Sequence, residues 1–444
     1  MMSITFLNLA DRQGMAAIAP AMKRDLGLTD TQMGLIQGLG FAIFYTLAGF
    51  PIARLAEARS RVRIIGTAVA VFSVFLLLCS QVRSFVQVLL CRVGVGSGDA
   101  GFGPPAASLL GDHYAPAQRA SSMTILWFGA PLGAFVGAAL GGRIAQFADW
   151  RMWFVYLGIP SLVVALLIFF TLREPPRGAF DKTAATGAPP SIRETLSFIF
   201  GKRSMVHVLA GTGLAATAMH GIGQFWGRYY VAVYHIGMSQ AGRFIGLITV
   251  AGMASGFTLG GFGVSHLARR DRRWSVWGPG ACLAVTTPLL LFGISRDTVD
   301  EAFWIMLTGH VTLFVFLTPS LAIAQNMVGA NMRASCAFLI NAGIGLVGVG
   351  VGPTLTGFLS DVFAHRAFAG NFNAACLDRA SLVQDLARAS ACQAASSTGI
   401  REAMAAMTLL LAWAALHYML ASRRLVIDLD THYVGEPVRN TNSK

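Results

Sequence analysis

Apolar stretches long enough to cross a bilayer recur along this 444-residue chain, separated by short polar breaks. A helix needs about 20 mostly apolar residues to span the hydrocarbon core. The pattern predicts twelve such helices, at 1–22, 32–54, 63–82, 85–111, 121–145, 151–172, 204–230, 239–264, 274–295, 302–328, 334–360 and 401–422. The first and fourth are the least apolar, because they carry Asp11 with Arg12 and Arg92 with Asp99. Residues 173–203, "REPPRGAFDKTAATGAPPSIRETLSFIFGKR", form a long polar interruption rich in Pro, Ala, Thr and charge. This composition predicts a cytoplasmic linker. It divides a six-helix bundle at 1–172 from a second at 204–422, with 423–444 as a cytoplasmic tail. The expected class is an all-α integral membrane fold.

Composition agrees: 55% of residues are hydrophobic and 12% charged, far from a soluble domain. The formal charge of +13 raises the question of nucleic acid, and the positions of the basic residues answer it. With both termini in the cytoplasm, 20 of the 34 Lys and Arg fall in cytoplasmic segments, among them Arg59, Arg61, Arg63, Arg173 and the run Arg269 to Arg273. That asymmetry sets orientation in a membrane, here a bacterial inner or plasma membrane, and names no nucleic-acid partner. Cys79, Cys91, Cys282 and Cys336 lie in apolar spans and read as small packing residues. Cys376 and Cys392 lie in the outer segment 361–400, where disulfides persist, but spacing alone does not fix a bridge. The apolar start lacks a basic leading region and runs into Asp11 and Arg12, so no cleavable signal is expected.

The halves echo each other. Glu57, between helices 2 and 3, and Ser265, between helices 8 and 9, are 208 residues apart, and Gly129 and Gly141 match Gly345 and Gly357 at an offset of 216. Duplicated six-helix units characterise alternating-access transporters, whose substrate site lies near the midplane between repeats. Gly96 to Gly101 and Gly343 to Gly348 both fit the G-x-G-x-x-G pattern of dinucleotide loops. That fingerprint needs a preceding strand, and both matches fall inside apolar spans, so these glycines read as close helix packing.

Over nearly its whole length the chain resembles the major facilitator superfamily. The loop after helix 2, with Glu57, Arg61 and Arg63, is similar to the family's cytoplasmic G-x-x-x-D-R-x-G-R-R signature. Gly129, Pro131, Gly133 and Gly137 resemble its helix 5 motif, and Arg92 to Gly96 its helix 4 motif. Asp11-Arg12-Gln13, Gly98-Asp99-Ala100-Gly101 with Pro104-Pro105, and Arg173 to Gly178 resemble the spinster-like branch. Three features depart from the pattern. Asp99 stands where the branch has Glu; Ala58 and Ser60 replace an arginine and a glycine of the loop; and Ser265 and His266 replace the acid and arginine of its second copy. The resemblance implies two pseudo-symmetric six-helix bundles and a secondary active transporter of a lysolipid or sphingolipid-like amphiphile. The wider superfamily implies alternatives: a proton symporter of small organic acids such as aromatic or sugar acids, a drug-type efflux antiporter, or a transport-dead receptor or sensor.

The intramembrane charges are the candidate chemistry. An Arg or Asp at a helix centre costs roughly 2.5 to 3.5 kcal/mol on insertion scales, so such groups face the bundle interior and work there. Arg92 and Asp99 are seven residues apart and share a face, whereas Asp11 and Arg12 diverge by about 100°. Their natural partners lie across helices 1 and 4: Asp11 with Arg92, or Arg12 with Asp99. A carboxylate that alternates between isolation and an arginine alternates between holding and releasing a proton. Asp11 or Asp99 is therefore the expected proton carrier, Arg92 the charge that releases the proton, and Arg12 an anchor for an anionic group. Glu57, Arg61 and Arg63 are the expected cytoplasmic gate. Trp127, His220, Gln224 and His310 are candidate cavity-lining residues, each also readable as packing, and Trp226, Tyr229 and Tyr230 read as an interfacial belt. No G-x-x-x-x-G-K-[ST] loop, H-E-x-x-H or G-x-S-x-G motif is present. The expectation is a monomer that is not an enzyme, uses no metal or cofactor, and has protons, membrane lipids and a small-molecule or lipid-like substrate as partners.

Overall fold

The computed structural model describes residues 1–113, 116–175, 192–327, 341, 343–376 and 385–430, and among them there is no strand. The chain enters as α1 (Met2–Leu26), which ends where Gly27 turns left-handed at φ 62° and donates to the Lys23 carbonyl. A Thr29/Gln32 capping box starts α2 (Asp30–Gln37). The helix breaks at Gly38 and resumes as α3 (Leu39–Ala58). Ser60 and Ser84 cap α4 (Arg61–Cys79) and α5 (Phe85–Asp99) through the amides of Arg63 and Gln87. After α6 (Gly103–His113), α7 (Pro116–Phe147) and α8 (Met152–Thr171) complete the first half. The short α9 (Ile192–Gly201) precedes α10 (Arg203–Tyr234) and α11 (Met238–Thr258). A π-helical turn, Leu259–Gly263, continues α11 into α12 (Val264–Ala268). Next come α13 (Trp274–Ile294), α14 (Val299–Leu313) and α15 (Leu317–Met327). The π-helical stretch Ile344–Val351 leads into α16 (Gly352–Ala367), and the chain ends with α17 (Phe372–Cys376) and α18 (Leu386–Asp430).

Nine helical stretches among the described residues are long and apolar enough to cross a membrane. Of the three other expected spans, the first is one continuous helix made polar by its charges, the second has a break at Gly38 and continues as the 20-residue α3, and the fourth is broken between Asp99 and Gly103. Large side chains such as Phe170, Phe262 and Leu47 are exposed on the outside of the bundle. Lipid is as apolar as they are, so that surface needs no burial in protein.

Two expectations need correction. The last two helices run past their expected ends: α16 continues to Ala367, and α18 begins at Leu386, fifteen residues before the expected start of the last span. The extra turns of α18 are held by the Cys376–Cys392 disulfide, by Arg228 donating to Ser396, and by Ser397 donating to the Ala232 carbonyl. The belt reading of Trp226, Tyr229 and Tyr230 also fails. All three are at most 1% exposed, with Trp226 stacked on Tyr230 and Tyr230 meeting Tyr234 tilted and Phe244 edge-on inside the second half. Such a cluster buries more apolar area than an interfacial position would.

Glycine sets the helix spacing. A Cβ on Gly129, Gly133 or Gly137 of α7 would collide with the carbonyls of Met2, Phe6 or Ala10 of α1, and one on Gly141 would press on Gly14. Four glycines at a spacing of four thus fit one stripe of α7 against one stripe of α1, the close approach that small residues permit. The halves meet through α1 with α10, α2 with α16, α7 with α11, and α3 with the Ile344–Val351 stretch. α1 begins and α18 ends on one face of the bundle, and the α1–α2 turn lies on the opposite, distal face. There the buried Asp30 carboxylate accepts from Lys23, from Arg228 Nε at 3.1 Å and from Ser360 at 2.7 Å. Asp361 of α16 meanwhile caps α2 through the amides of Asp30 (3.0 Å) and Thr31 (2.7 Å). Burial disfavours the charge on Asp30, but Arg228 and Lys23 outweigh it and hold the carboxyl well below its ordinary range.

Candidate functional site

The charged residues of α1 and α5 meet. Arg92 Nη1 donates to Asp11 Oδ2 at 2.8 Å, and Arg12 Nη2 donates to Asp99 Oδ2 at 2.6 Å, so the two cross-helix pairs that the sequence offered as alternatives are both made. Asn8 donates to the second oxygen of Asp99. Asn8, Asp11 and Arg12 lie three and four residues apart, which places them on neighbouring positions of one helix face. The opposite stripe of α1, through Ala10 and Gly14, is the one seated on the α7 glycines. The glycine motif of helix 5 therefore acts through packing: it fixes the helix whose other side carries the charges.

Phe41 of α3 lies between the two cations, its ring centre 4.6 Å from the Arg12 guanidinium carbon and 5.4 Å from that of Arg92; Tyr45 is 5.9 Å from Arg12. Arg92, Asp11 and Asp99 are buried. The helix breaks place this cluster. Asp99 is the last residue of α5, and Gln37 the last of α2, at the Gly38 interruption where the backbone closely approaches the Gly350 carbonyl of the π-helical stretch. Irregular backbone at membrane depth is tolerated where it is buried in protein or lines a cavity.

A cavity of about 70 Å³ opens between the halves. Arg12, Gln13, Gln37, Phe41 and Arg92 line it from the first half, and His220, Gln224 and Val349 from the second. Two of the candidate lining residues are thus brought together with the arginines. His310 is not: it sits in the core of the second half, its Nδ1 2.9 Å from the Met306 carbonyl and its ring 5.4 Å from Trp226. The side chains of Trp127 and Glu57 lie outside the described residues. Arg61 is 1% exposed and donates to Glu174 (2.7 Å) and to the Ser108 hydroxyl (3.0 Å), tying α4 to α6 and to the segment after α8. Arg63 is exposed. Burial disfavours the Glu174 charge, yet the Val62 amide, Arg61 and the Ser60 hydroxyl together hold its carboxyl below the ordinary value.

Sequence reasoning missed Asn8, Gln37 and Phe41 at the centre, and Lys23, Asp30, Arg228 and Asp361 at the distal face. Asn8 and Gln37 carried a signal, as uncharged polar residues inside or beside apolar spans. Asp30 carried none, because an acid in a short turn reads as solvated.

The chain matches the family model of the Major Facilitator Superfamily over residues 1–353. It is 29% identical to an MFS-type efflux pump of Mycolicibacterium smegmatis over 364 residues, 80% of this chain and 82% of that protein. It is 26% identical to a hexuronate transporter of Bacillus subtilis, covering 80% of this chain and 85% of the relative. Among solved structures, it aligns with a bacterial homolog of the human lysosomal transporter Spinster, in an inward-facing and unoccupied conformation, with a TM-score of 0.87 and 28% identity over 96% of both chains.

Proposed function

We propose a mechanism for this chain from the premise that it belongs to the Major Facilitator Superfamily and is an integral, multi-pass membrane transporter with spinster-like relatives. It carries a small anionic or amphipathic organic molecule by proton-coupled alternating access across a bacterial inner or plasma membrane, as a monomer. The bundles at 1–172 and 204–422 rock about the central cavity, joined by the linker 173–203. The basic residues on the face where α1 begins and α18 ends support a cytoplasmic placement of that face, with 423–444 as a cytoplasmic tail. The named contacts between the halves gather toward the distal face, as suits an inward-facing form.

One observation carries the reading: two buried ion pairs, Arg92–Asp11 and Arg12–Asp99, border a cavity between the halves. Two cations and two anions make the cluster neutral as it stands. An incoming anion adds a negative charge to a buried site, which is costly unless it is compensated. Protonating Asp11 or Asp99 removes one negative charge and frees one guanidinium, so proton and substrate charge balance in the same place. Arg92 then expels the proton when the bundle rocks back, and Arg12 anchors the anionic group. Glu57, Arg61 and Arg63 serve the cytoplasmic gate. The same balance supports symport or antiport.

Two substrate classes follow from the relatives. The resemblance to the spinster-like branch favours a lysolipid-like amphiphile, and the hexuronate transporter of Bacillus subtilis favours a sugar acid. A thermal-shift panel of lysolipids and carboxylic acids in detergent supplies the substrate. Flux into proteoliposomes under an imposed pH gradient then tests the mechanism: Asp11→Asn and Asp99→Asn should each fold, and at least one should lose gradient-driven flux. Wild-type flux in both would refute the proton assignment, and absence of any flux in the wild type would favour a receptor or sensor.

A further inference from the structure

Five buried polar atoms at the central site meet no hydrogen-bond partner: Oδ1 of Asp11, Nε of Arg12 and of Arg92, and the amide oxygens of Gln13 and Gln37. Buried polar groups are satisfied in the large majority of cases. Four of these residues line the same cavity. Their chemistry is mixed. The two Nε–H groups are cationic donors and call for an anionic acceptor, while the two amide oxygens are acceptors and call for O–H or N–H donors. A simple anion such as an alkyl carboxylate would meet the donors and leave both amide oxygens unpaired.

We infer that the central site selects a hydroxylated anion, its charged group on the Arg12 and Arg92 Nε–H groups and its neighbouring hydroxyls on Gln13 and Gln37. This rests on the central cavity being the substrate site. Two sources share that chemistry, a sugar acid and the glycerophosphate head of a lysolipid. In either, Gln13 and Gln37 read the hydroxyls, and the substrate's remainder projects along the apolar wall formed by Leu9, Met15 and Val349.

The test compares matched ligands on the full-length protein in detergent. Gluconate is set against hexanoate, and sn-glycerol 3-phosphate against propyl phosphate, with affinity read by calorimetry. A site built to hydrogen-bond a hydroxyl rejects the analogue that lacks it strongly, so the hydroxylated member of at least one pair should bind about 10-fold or more tightly. Discrimination in the carboxylate pair points to a sugar acid, and in the phosphate pair to a lipid head. Gln37→Leu should shrink that ratio while Arg12→Gln weakens both members of the pair. Equal binding within both pairs would overturn the hydroxyl assignment and leave the anion site standing. No binding of any of the four would overturn the central site as well. Because the wild-type ratio needs no variant, a misfolded Gln37→Leu protein does not spare the inference.

Discussion

Asp30→Asn should release the distal closure. The Asp30 carboxylate joins the halves: it accepts from Lys23 on its own side, and from Arg228 of α10 and Ser360 of α16 across the interface. Asn has the same shape but no charge, so the substitution leaves Lys23 and Arg228 facing each other without the anion between them. Removing one partner of a buried ion pair costs about 3 to 5 kcal/mol. The cationic side chains here are 14% and 15% exposed, and water screens them in part, which brings the cost to about 2 to 3 kcal/mol. Asp361 still caps α2, so the fold keeps that contact. The lost energy belongs to the distally closed form to the extent that it comes from Arg228 and Ser360, whose bonds to Asp30 exist only while the two halves touch. The population should therefore move toward the distally open form by about 30- to 150-fold. Pulsed electron-resonance distances read this directly, with spin labels at the exposed positions Arg83 and Asp297, one on each half at the distal face, and the native free thiols replaced by serine. A longer distance component should dominate in the variant. A distance distribution unchanged from wild type would refute the reasoning, since the network would then contribute nothing to holding the halves together.

Two further outcomes test the packing and the terminal face. Gly133→Ala puts a methyl against the Phe6 carbonyl, and overpacking of this kind costs about 1 to 3 kcal/mol; its melting temperature in detergent should fall, whereas Gly213→Ala, which meets open space, should not lower it. For Glu174 the folded carboxyl lies below its ordinary value of 4.5, so its contribution is present above that pH and is lost as pH falls through the depressed folded value. Stability of the wild type should decline on acidification below about pH 4.5, and Glu174→Gln should remove part of that decline; identical acid profiles would show that the Arg61–Glu174 contact carries no stability.

Much of this protein is local and additive, and the sequence alone determined that part. Twenty apolar residues in a row belong in lipid whatever their neighbours are, and an Arg in such a row must face inward. Spans, the basic asymmetry and the four intramembrane charges could therefore be read one segment at a time. The 3.6-residue period also put Arg92 and Asp99 on one face, which limited their partners to α1. The glycine spacing of α7 was legible as a motif, but its fit to Met2, Phe6, Ala10 and Gly14 was not. Tertiary structure decided what depends on two distant segments arriving together. The helices break at Gly38 and after Asp99 beside neighbouring helices and the central cavity, and hydropathy does not register that. Gln37 becomes a site residue only because such a break aims it into the cavity. Trp226, Tyr229 and Tyr230 could have faced lipid or core with equal amphipathic merit, and burial against Phe244 and His310 settled it. Asp30 is the plainest case. Its partners lie 198 and 330 residues away, so its charge has no meaning in the sequence until the halves close around it.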